Sequence, residues 1–566
     1  MYDIRISGGT IVDGTGAEGV TGDVAIKDGA VVAMGAAVDA ATEAATTIDA
    51  TGRVVCPGFV DIHTHYDAQV MWDRMMTVSP WHGVTTAVIG NCGFGVAPTR
   101  PEHRDLVIRT LEKVEGMSAA ALRAGLGDDW PFETFPGYLD AVEARQPAIN
   151  VAALVGHTPI RLYVMGEEAT SREATPDEVD RMRRLVAEAI EVGAVGFATS
   201  KSPTHVGYDG LPVPSRSAHV DEIKALVGAM GDAGRGIMQA TMGIELSFPQ
   251  FAEIAEATGR PISWTALLAG VGGEGVWPIL LDESIKLRDR GLPVYPQVSC
   301  RPLNFEFNLE EPFPFESMKL FGSISAAHGV DEKVAIYTDP EFQRAFRDAM
   351  HDGKAGVLGG SWDRTVVSWF PADPSIEERN VAELADERGM EPTDLVLELS
   401  LGSNLDARFR MAVLNHDEDD VEVLLTDPHT MLGLSDAGAH ASQLCDAGFS
   451  THLLSRWVRE RKALTIEEAV RKMTSEPADI FGITDRGTLA VGRPADVVVF
   501  DPETVGCSQL RRVHDQPAGA ARLVADATGI DAVVVNGTVL RRDGTDALDP
   551  TAALPGRLLR HGAAGG

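Results

Sequence analysis

Two histidines separated by one residue follow an apolar run near the start of the chain. The segment reads PGFVDIHTHYDAQ and places His63 and His65 directly after its apolar residues. Side chains two positions apart on a β-strand point to the same side. Both imidazoles can therefore reach one ion at about 2.0–2.1 Å. The Pro-Gly entry and the following Asp67 make the pattern more specific than two isolated histidines, and it predicts a metal site.

Eight apolar segments alternate with longer amphipathic stretches through the middle of the chain. They cover residues 54–65, 85–93, 149–157, 194–200, 235–241, 260–267, 292–299 and 430–438. This alternation predicts an α/β fold with a parallel sheet, and eight units suit a closed (β/α)8 TIM-like barrel. Residues 174–193 show the helical part of the pattern, with Thr175 as the expected cap and Pro176 in the first turn. In such barrels the active site lies at the carboxyl ends of the strands.

The two ends of the chain have a different sequence pattern. Residues 1–55 and 481–550 consist of short apolar strands between Gly, Pro and Asn-Gly turns. We predict that they form one small β-sandwich domain beside a barrel that spans residues 56–480.

Two regions interrupt the barrel alternation, at about 300–358 and 362–425. We predict that they are insertions that cover the mouth of the barrel and shape a substrate pocket. Residues 551–566 are assigned to a tail, and the RHGAAGG sequence at its end predicts disorder.

The composition narrows the class of partner. The chain has 566 residues and a net charge of −34, which argues against nucleic acid and anionic membrane surfaces. No stretch approaches the roughly 18 apolar residues of a membrane span. The five cysteines are scattered without a CxxC pair, which indicates a reducing compartment, and we expect a cytoplasmic protein. A small-molecule substrate is the expected partner, and a homo-oligomer remains open.

Beyond the paired histidines, longer motifs resemble a known family. GNCGFGVAP (90–98) ends the second strand, SDAGAHA (435–441) follows the last, and RERKALTIEEAVRKMTSEPADIFGITDRGTLAVGRPADVVVFDP (459–502) comes next. Together with the HxH strand they are similar to the amidohydrolase superfamily, in particular its N-acyl-D-amino-acid deacylase (D-aminoacylase) branch. The resemblance is collinear from about residue 3 to 545, apart from the two insertions.

The resemblance implies roles for particular residues. His63, His65 and Cys92 match metal ligands, and a thiolate suits the borderline-soft Zn²⁺ ion. Asp436 matches the aspartate that contacts the metal, orients the attacking water and moves its proton to the leaving nitrogen. One or two zinc ions are expected.

Two ligands of the family are missing. Relatives carry histidines at the ends of the fifth and sixth strands, where this chain has Gln239-Ala240-Thr241-Met242 and Ile262-Ser263-Trp264-Thr265. Three explanations stay open: a single metal on His63, His65 and Asp436, a rearranged site that uses Cys92, Gln239 or an outside residue, or a lost activity.

Other polar residues near strand ends are further candidates. His157 is a candidate for a catalytic hydrogen bond to the scissile carbonyl, and Arg161 and Arg301 are candidates for binding a substrate carboxylate. Alternative ligands, each weaker than its ordinary structural interpretation, are Lys201, His205, His219 and His440.

The leading hypothesis is a metal-dependent hydrolase of a non-peptide C–N bond, with an N-acyl-D-amino acid as the nearest model substrate. A cyclic amide or other heterocycle is the alternative substrate, because one fold supports several functions. A metal-free, non-catalytic scaffold is the alternative from another class. A nucleobase deaminase is disfavoured, because RGIMQAT contains neither the histidine nor the glutamate that such enzymes need.

Overall fold

The computed structural model describes residues 1–316, 318–351 and 361–560. At its centre is a parallel sheet of eight strands that curls into a (β/α)8 barrel. The barrel strands are β6 (Phe59–Asp61), β7 (Val84–Ile89), β8 (Asn150–Gly156), β9 (Gly196–Ser200), β10 (Ile237–Thr241), β11 (Ile262–Thr265), β12 (Val294–Val298) and β16 (Met431–Leu432). All eight coincide with the predicted apolar segments, so the predicted fold class is confirmed.

The first and last barrel strands meet just beyond their regular ends. Thr64 forms a parallel bridge with Ala437, and the His65 N–H donates to the Ala437 carbonyl at 2.7 Å. This contact joins the chain after β6 to the chain after β16. It therefore brings the HxH residues next to the segment that contains Asp436.

The α-helices that surround the barrel or lie in the insertions follow in chain order. They are α1 (Arg104–Val114), α2 (Ala119–Leu126), α3 (Phe135–Arg145), α4 (His157–Met165), α5 (Pro176–Glu191), α6 (Val220–Ala233), α7 (Phe248–Thr258), α8 (Val276–Asp289), α9 (Gly322–Ala326), α10 (Val330–Thr338), α11 (Pro340–His351), α12 (Val381–Arg388), α13 (Pro392–Gly402), α14 (Glu418–Thr426), α15 (Phe449–His452), α16 (Ile466–Met473) and α17 (Ser475–Ile480). A π-helical stretch, Leu453–Glu460, extends α15. None of the helices within the described residues is long and apolar enough to cross a membrane.

Helix α5 forms as its sequence predicts. Thr175 and Glu178 make a reciprocal capping box, and Pro176 occupies the first turn. Met182 and Val186 face the barrel and are fully buried. The helical spacing of these apolar residues therefore fixes which side of α5 covers the sheet.

Strands from both ends of the chain share one nine-stranded sheet. Its members are β1 (Tyr2–Ile11), β2 (Val20–Lys27), β3 (Ala30–Met34), β4 (Ala44–Asp49), β5 (Val54–Pro57), β17 (Val497–Phe500), β22 (Ile530–Val535), β23 (Thr538–Arg542) and β24 (Thr545–Asp546). The N-terminal β5 pairs with the C-terminal β17 in antiparallel register. The hydrophobic core of this nine-stranded sheet includes Ile6, Val24, Val497 and Val534. Strands from both termini thus share one sheet, and the domain bounds 1–55 and 481–550 stay a prediction.

The region between the last two barrel strands carries a separate layer. Strands β13 (Leu303–Asn308), β14 (Thr365–Trp369) and β15 (Arg408–Leu414) form an antiparallel sheet with its own aromatic-rich core. Four further short strands pair beside the barrel: β18 (Gly506–Cys507), β19 (Arg511–Val513), β20 (Arg522–Val524) and β21 (Ala527–Thr528). Of the predicted insertions, residues 317 and 352–360 lie outside the described part of the chain.

The predicted tail is only partly described. Residues 551–560 run back along the barrel, where Leu558 forms a parallel bridge with Val151 and the Leu559 N–H donates to the Val151 carbonyl at 2.7 Å. The predicted disorder concerns RHGAAGG, and of these residues 561–566 lie outside the described ones.

Candidate metal centre

Three side chains meet at the carboxyl ends of β6 and β7. His63, His65 and Cys92 are all buried, and their ligand atoms lie within 4.8 Å of one another. The Cys92 Sγ is 3.3 Å from the His63 Nε2. Across the described residues, this trio is the group of histidine, cysteine and acidic side chains close enough to share one ion.

Asp436 closes the fourth side of the trio. Its Oδ1 lies 3.3 Å from the His63 Nε2 and 3.7 Å from the His65 Nε2. About a quarter of its side chain is exposed, 26% against 1% for His63. Asp436 is therefore the member of the cluster that faces the open side of the barrel.

Three of the separations among these atoms match those around one small cation, although Asp436 lies outside the group whose ligand atoms all fall within 4.8 Å of one another. Donors around a tetrahedral zinc ion, with Zn–N near 2.0–2.1 Å and Zn–S near 2.3 Å, lie about 3.3–3.7 Å from each other. The separations of 3.3 Å for Cys92–His63, 3.3 Å for His63–Asp436 and 3.7 Å for His65–Asp436 fall in this range. Two imidazoles, one thiol and one carboxylate are also a donor set that suits Zn²⁺.

A strained turn aims the cysteine at the histidines. Cys92 has a left-handed backbone, with φ of 56°, between Gly90 and Gly93, which are also left-handed. A Cβ added at Gly90 would lie 2.2 Å from the Leu154 carbonyl oxygen, so only glycine fits there. The Cys92 N–H donates to the Gln239 Oε1 at 2.6 Å. Such strain costs about 1–3 kcal/mol and is typical of functional sites.

Two buried polar residues orient the histidine rings. The Oε1 of Gln297, on β12, lies 2.7 Å from the His63 Nδ1, and its amide donates to the Ser263 hydroxyl at 2.7 Å. The His65 Nδ1 lies 3.5 Å from the Oε1 of Glu115, which follows α1. These contacts leave the Nε2 atoms of both rings for the shared centre.

Sequence reasoning missed both supporting residues. Gln297 offered a signal, since it is a polar residue inside the apolar strand segment LPVYPQVS. Glu115 offered none, because it lies in an ordinary charged helix end, LEKVEGM, and reaches the site only through the packing of α1.

The electrostatics concentrate negative charge at the donors. Burial alone would raise the pKa of the Cys92 thiol, but the adjacent His63 and His65 rings lower it to about 6. Burial opposes ionisation of Asp436 too, yet hydrogen bonding to His65 and the charge of His63 hold its pKa well below its usual range. Burial raises the pKa of Glu115 to about 8, against the opposing charge of His65. A thiolate and a carboxylate next to two imidazoles form a site for a divalent cation.

The strand ends without histidine carry hydroxyl groups instead. Thr265 and Thr241 lie with their hydroxyl oxygens 3.3 Å apart, and the Gln239 amide is 3.5 Å from Thr265. The Trp264 indole points away from the centre and donates to Ser284 on α8 at 3.1 Å. This half of the barrel mouth therefore supplies neutral polar groups, and the geometry favours a single-ion arrangement that includes Cys92.

The predicted catalytic role of His157 does not agree with its contacts. Its Nε2 lies 2.7 Å from the Glu222 Oε1 and its Nδ1 lies 2.8 Å from the Thr199 hydroxyl. Arg161, predicted to bind substrate, is fully buried and pairs with the other oxygen of Glu222. It also donates to the backbone carbonyls of two residues that follow α4, Ala169 and Arg172. These contacts favour structural roles for both residues, although the buried Arg161 Nε has no hydrogen-bond partner among the described residues.

Arg301, also predicted to bind substrate, is placed similarly. Its Nε lies 3.1 Å from the Asp446 Oδ1, with both side chains about nine-tenths buried. A second nitrogen lies 3.5 Å from the Cys507 Sγ. A buried carboxylate already neutralises this guanidinium, so the contacts favour a structural role here too.

The alternative ligands divide into two groups. The Lys201 ammonium donates to the carbonyls of Arg216 and Ala218, and His219 caps α6, so neither points at the trio. Burial lowers the pKa of His205 and His440, and the charge of His65 contributes to both shifts. The His440 Nε2 is 4.0 Å from the Glu115 Oε2.

A cavity of about 550 Å³ opens beside the centre. Its walls come from the loop after α1, from β13 and β15, from the loop after Asp436 and from the chain around β19. The lining includes Trp72, Met117, Leu122, Phe307, Arg408 and Arg512. A volume of this size accommodates a small organic molecule.

Comparisons with known proteins find one matching family and several similar proteins. The model of an amidohydrolase family matches residues 46–541. The chain is 31% identical to an N-acyl-D-glutamate deacylase of Alcaligenes xylosoxydans xylosoxydans, over 99% of this chain and 97% of that protein. It is 29% identical to a D-aminoacylase of the same organism, over 95% of this chain and 94% of that protein. A solved N-acyl-D-glutamate deacylase of Bordetella bronchiseptica, in complex with zinc and a phosphonate inhibitor, superimposes with a TM-score of 0.65 at 26% identity, covering 99% of both chains.

The buried contacts of Glu222 generate a stability prediction. Burial would raise the pKa of Glu222, but hydrogen bonding to His157 and the charge of Arg161 lower it below 4.5. Its ionised form therefore stabilises the fold above about pH 4.5, and this contribution is lost as the pH falls toward the folded-state pKa. Glu222→Gln also leaves Arg161 buried without its carboxylate, so we expect a loss of about 3–5 kcal/mol in unfolding free energy near pH 7.

Urea unfolding near pH 7 and near pH 4 measures the free energy of unfolding. The difference in this free energy between wild type and Glu222→Gln is expected to be smaller at the lower pH. Glu253→Gln removes an exposed pair with Lys224 and serves as the control, with an expected cost of about 0–1 kcal/mol. Equal, small effects of both variants would contradict the structural role of Glu222.

Proposed function

The chain belongs to the amidohydrolase family, and from this premise we propose that it is a metal-dependent hydrolase of N-acyl-D-amino acids. The observation that carries the proposal is the convergence of His63, His65, Cys92 and Asp436 at one end of the barrel. The deacylases to which the chain is similar along almost its whole length support the substrate class.

We propose zinc as the bound ion. His63, His65 and Cys92 would hold it, with Asp436 at the open side. When bound, the ion supplies a Lewis acid that polarises an amide carbonyl and makes water acidic near neutral pH. One ion is favoured, because hydroxyl and amide groups stand where a second set of imidazoles would be needed.

Asp436 is the proposed proton carrier. Its low pKa keeps it ionised at neutral pH, and its partial exposure places it beside the substrate. It takes a proton from water as the water oxygen attacks the amide carbonyl, and then delivers that proton to the nitrogen as the C–N bond breaks. The products are a carboxylate and an amine.

The supporting residues hold this arrangement without taking part in bond changes. Gln297 keeps the Nδ1 of His63 engaged, and Glu115 does the same for His65. Such partners fix the ring orientation and raise ligand basicity. Gln239 fixes the strained backbone of Cys92 from the opposite side of the barrel.

We also propose a reducing compartment, such as the cytoplasm, as the site of action. All five cysteines are free thiols in the structure, and the Cys92 thiolate would be lost as a ligand if it were oxidised.

One prediction of the proposed function concerns zinc content. Elemental analysis of protein purified with zinc is expected to give about one ion per chain, and His63→Ala or Cys92→Ala is expected to weaken binding by more than the roughly 10–100-fold loss typical of a supporting residue. Competition with a chelator measures the affinity.

Cys300→Ser is the matched control, because Cys300 is buried elsewhere and its thiol contacts the Phe449 carbonyl. Substoichiometric zinc in wild type, unchanged by His63→Ala, would instead support the metal-free scaffold.

Another prediction of the proposed function concerns turnover. Asp436→Asn is expected to lower kcat/KM by about 10²–10⁴-fold, the usual contribution of a positioned acid–base group, while the trio still binds zinc. The assay uses matched N-acyl-D- and N-acyl-L-amino acids together with a cyclic amide. Hydrolysis of the L compounds or the cyclic amide alone would overturn the D-deacylase assignment and leave the hydrolytic chemistry standing.

A further inference from the structure

Arg408 lies in the wall of the large cavity with its hydrogen-bonding capacity unused. Its side chain is only 26% exposed, and the nearest carboxylate oxygens lie at 4.0 Å in Glu306 and 3.8 Å in Asp406. Among the residues that the structure describes, no acceptor lies within hydrogen-bond distance of this guanidinium. A partly buried arginine has five N–H donors and a strong preference for a carboxylate.

Glu306 does not neutralise Arg408, because it is already engaged. The buried Glu306 carboxylate forms its short ion pair with Arg512, which also donates to the Ser442 carbonyl at 2.7 Å. Two guanidinium groups therefore face one buried carboxylate. Asp406 is 58% exposed, so water screens its charge. One positive charge is left over at this wall of the cavity.

The rim of the cavity also carries acidic groups, Glu112 and Glu311. Both are exposed, whereas Arg408 and Glu306 lie deeper. The chain as a whole has a net charge of −34, which repels anions from most of its surface. A local, partly desolvated cation is therefore the feature that lets an anionic molecule settle in this cavity.

The cavity lies next to residues that flank the proposed metal centre. Gly438, two residues beyond Asp436, lines it, and so does Gly116, which follows Glu115. A smaller neighbouring cavity of about 30 Å³ includes Asp436 itself and shares Gln69, Gly438 and Ala441 with the larger one. A ligand that is bound at the wall can thus extend an amide toward Asp436.

Part of the cavity lining is apolar. Trp72, Met117, Leu122 and Phe307 contribute to its lining. Apolar walls with a few placed polar groups are the usual design of a small-molecule pocket, in which the polar groups fix the orientation. An elongated ligand with one anionic end and one apolar end matches this distribution.

We propose that Arg408 is the residue that binds the carboxylate of the substrate. Glu306 pairs with Arg512 and therefore leaves the Arg408 guanidinium available for that carboxylate. This inference rests on the proposed function for the identity of the amide. The carboxylate is that of the amino-acid part, either the α-carboxylate or an acidic side chain. Two arms of the test distinguish these sources.

Binding, measured by isothermal titration calorimetry, tests the proposal independently of catalysis. The probes are N-acetyl-D-methionine, N-acetyl-D-methioninamide and N-acetyl-D-glutamate, and Asp436→Asn slows their turnover. In this background Arg408→Gln is expected to weaken binding of an acid by about 10–100-fold, as for the loss of hydrogen bonds to a charged group. Arg408→Lys keeps the charge and loses the planar fork, so its affinity for the acid is expected to lie between those of the parent and the Arg408→Gln proteins.

Arg410→Gln is the control on the same strand. Arg410 already pairs with Glu378 and does not line the cavity, so the preference for acid over amide is expected to stay unchanged. If Arg408→Gln weakens the binding of both acids, Arg408 binds the α-carboxylate. If it weakens the binding of N-acetyl-D-glutamate alone, Arg408 binds the side-chain carboxylate.

The proposal is overturned if Arg408→Gln weakens the acid and the amide equally, if it changes neither, or if no probe binds. Its failure is distinct from failure of the proposed function. A chain that hydrolyses N-acyl-D-amino acids without dependence on Arg408 loses only the inference, and a chain that binds acids through Arg408 but hydrolyses none loses only the function.

Discussion

The structure depends on the closure of the barrel between its first and last strands. The hydrogen bond from the His65 N–H to the Ala437 carbonyl, at 2.7 Å, fixes the segment after β16 against the segment after β6. Without that contact Asp436 would not meet the two imidazoles. A site made from residues about 370 positions apart thus follows from one short backbone pairing, which the right-handed succession of strand and helix makes possible.

A second constraint is the cost of burying polar donors. An unpaired polar group inside a protein costs about 1–3 kcal/mol, and the centre buries two imidazoles and a thiol. Gln297 and Glu115 contact the Nδ1 atoms of the two imidazoles, and Gln239 accepts a hydrogen bond from the Cys92 N–H. These contacts lower the cost of burial and leave the metal-facing atoms free. The same rule explains the contacts of His157, Arg161 and Arg301, since the first two share the buried Glu222 carboxylate and Arg301 pairs with the buried Asp446.

The architecture and the paired histidines after β6 could be predicted because they rest on local patterns, whereas the roles of Cys92 and Asp436 were expected from the resemblance to the deacylases. Strand alternation gives the barrel, and the HxH spacing places two imidazoles on one side of a strand. The sequence does not reveal which arginines are neutralised, because that depends on partners such as Glu222 and Asp446, distant in sequence. The positions of Glu115 and Arg408 near the site could not be predicted for the same reason. A helix end and an insertion strand place them at the mouth through tertiary packing alone.

The central claim is that one cation is held by imidazoles and the Cys92 thiolate together. X-ray absorption at the zinc edge of the loaded protein tests it most directly. The account predicts one sulfur neighbour at about 2.3 Å, with nitrogen and oxygen neighbours at about 2.0–2.2 Å. The sulfur signal is expected to vanish in Cys92→Ala. A spectrum with light atoms only, or with a second metal as a neighbour, would contradict it.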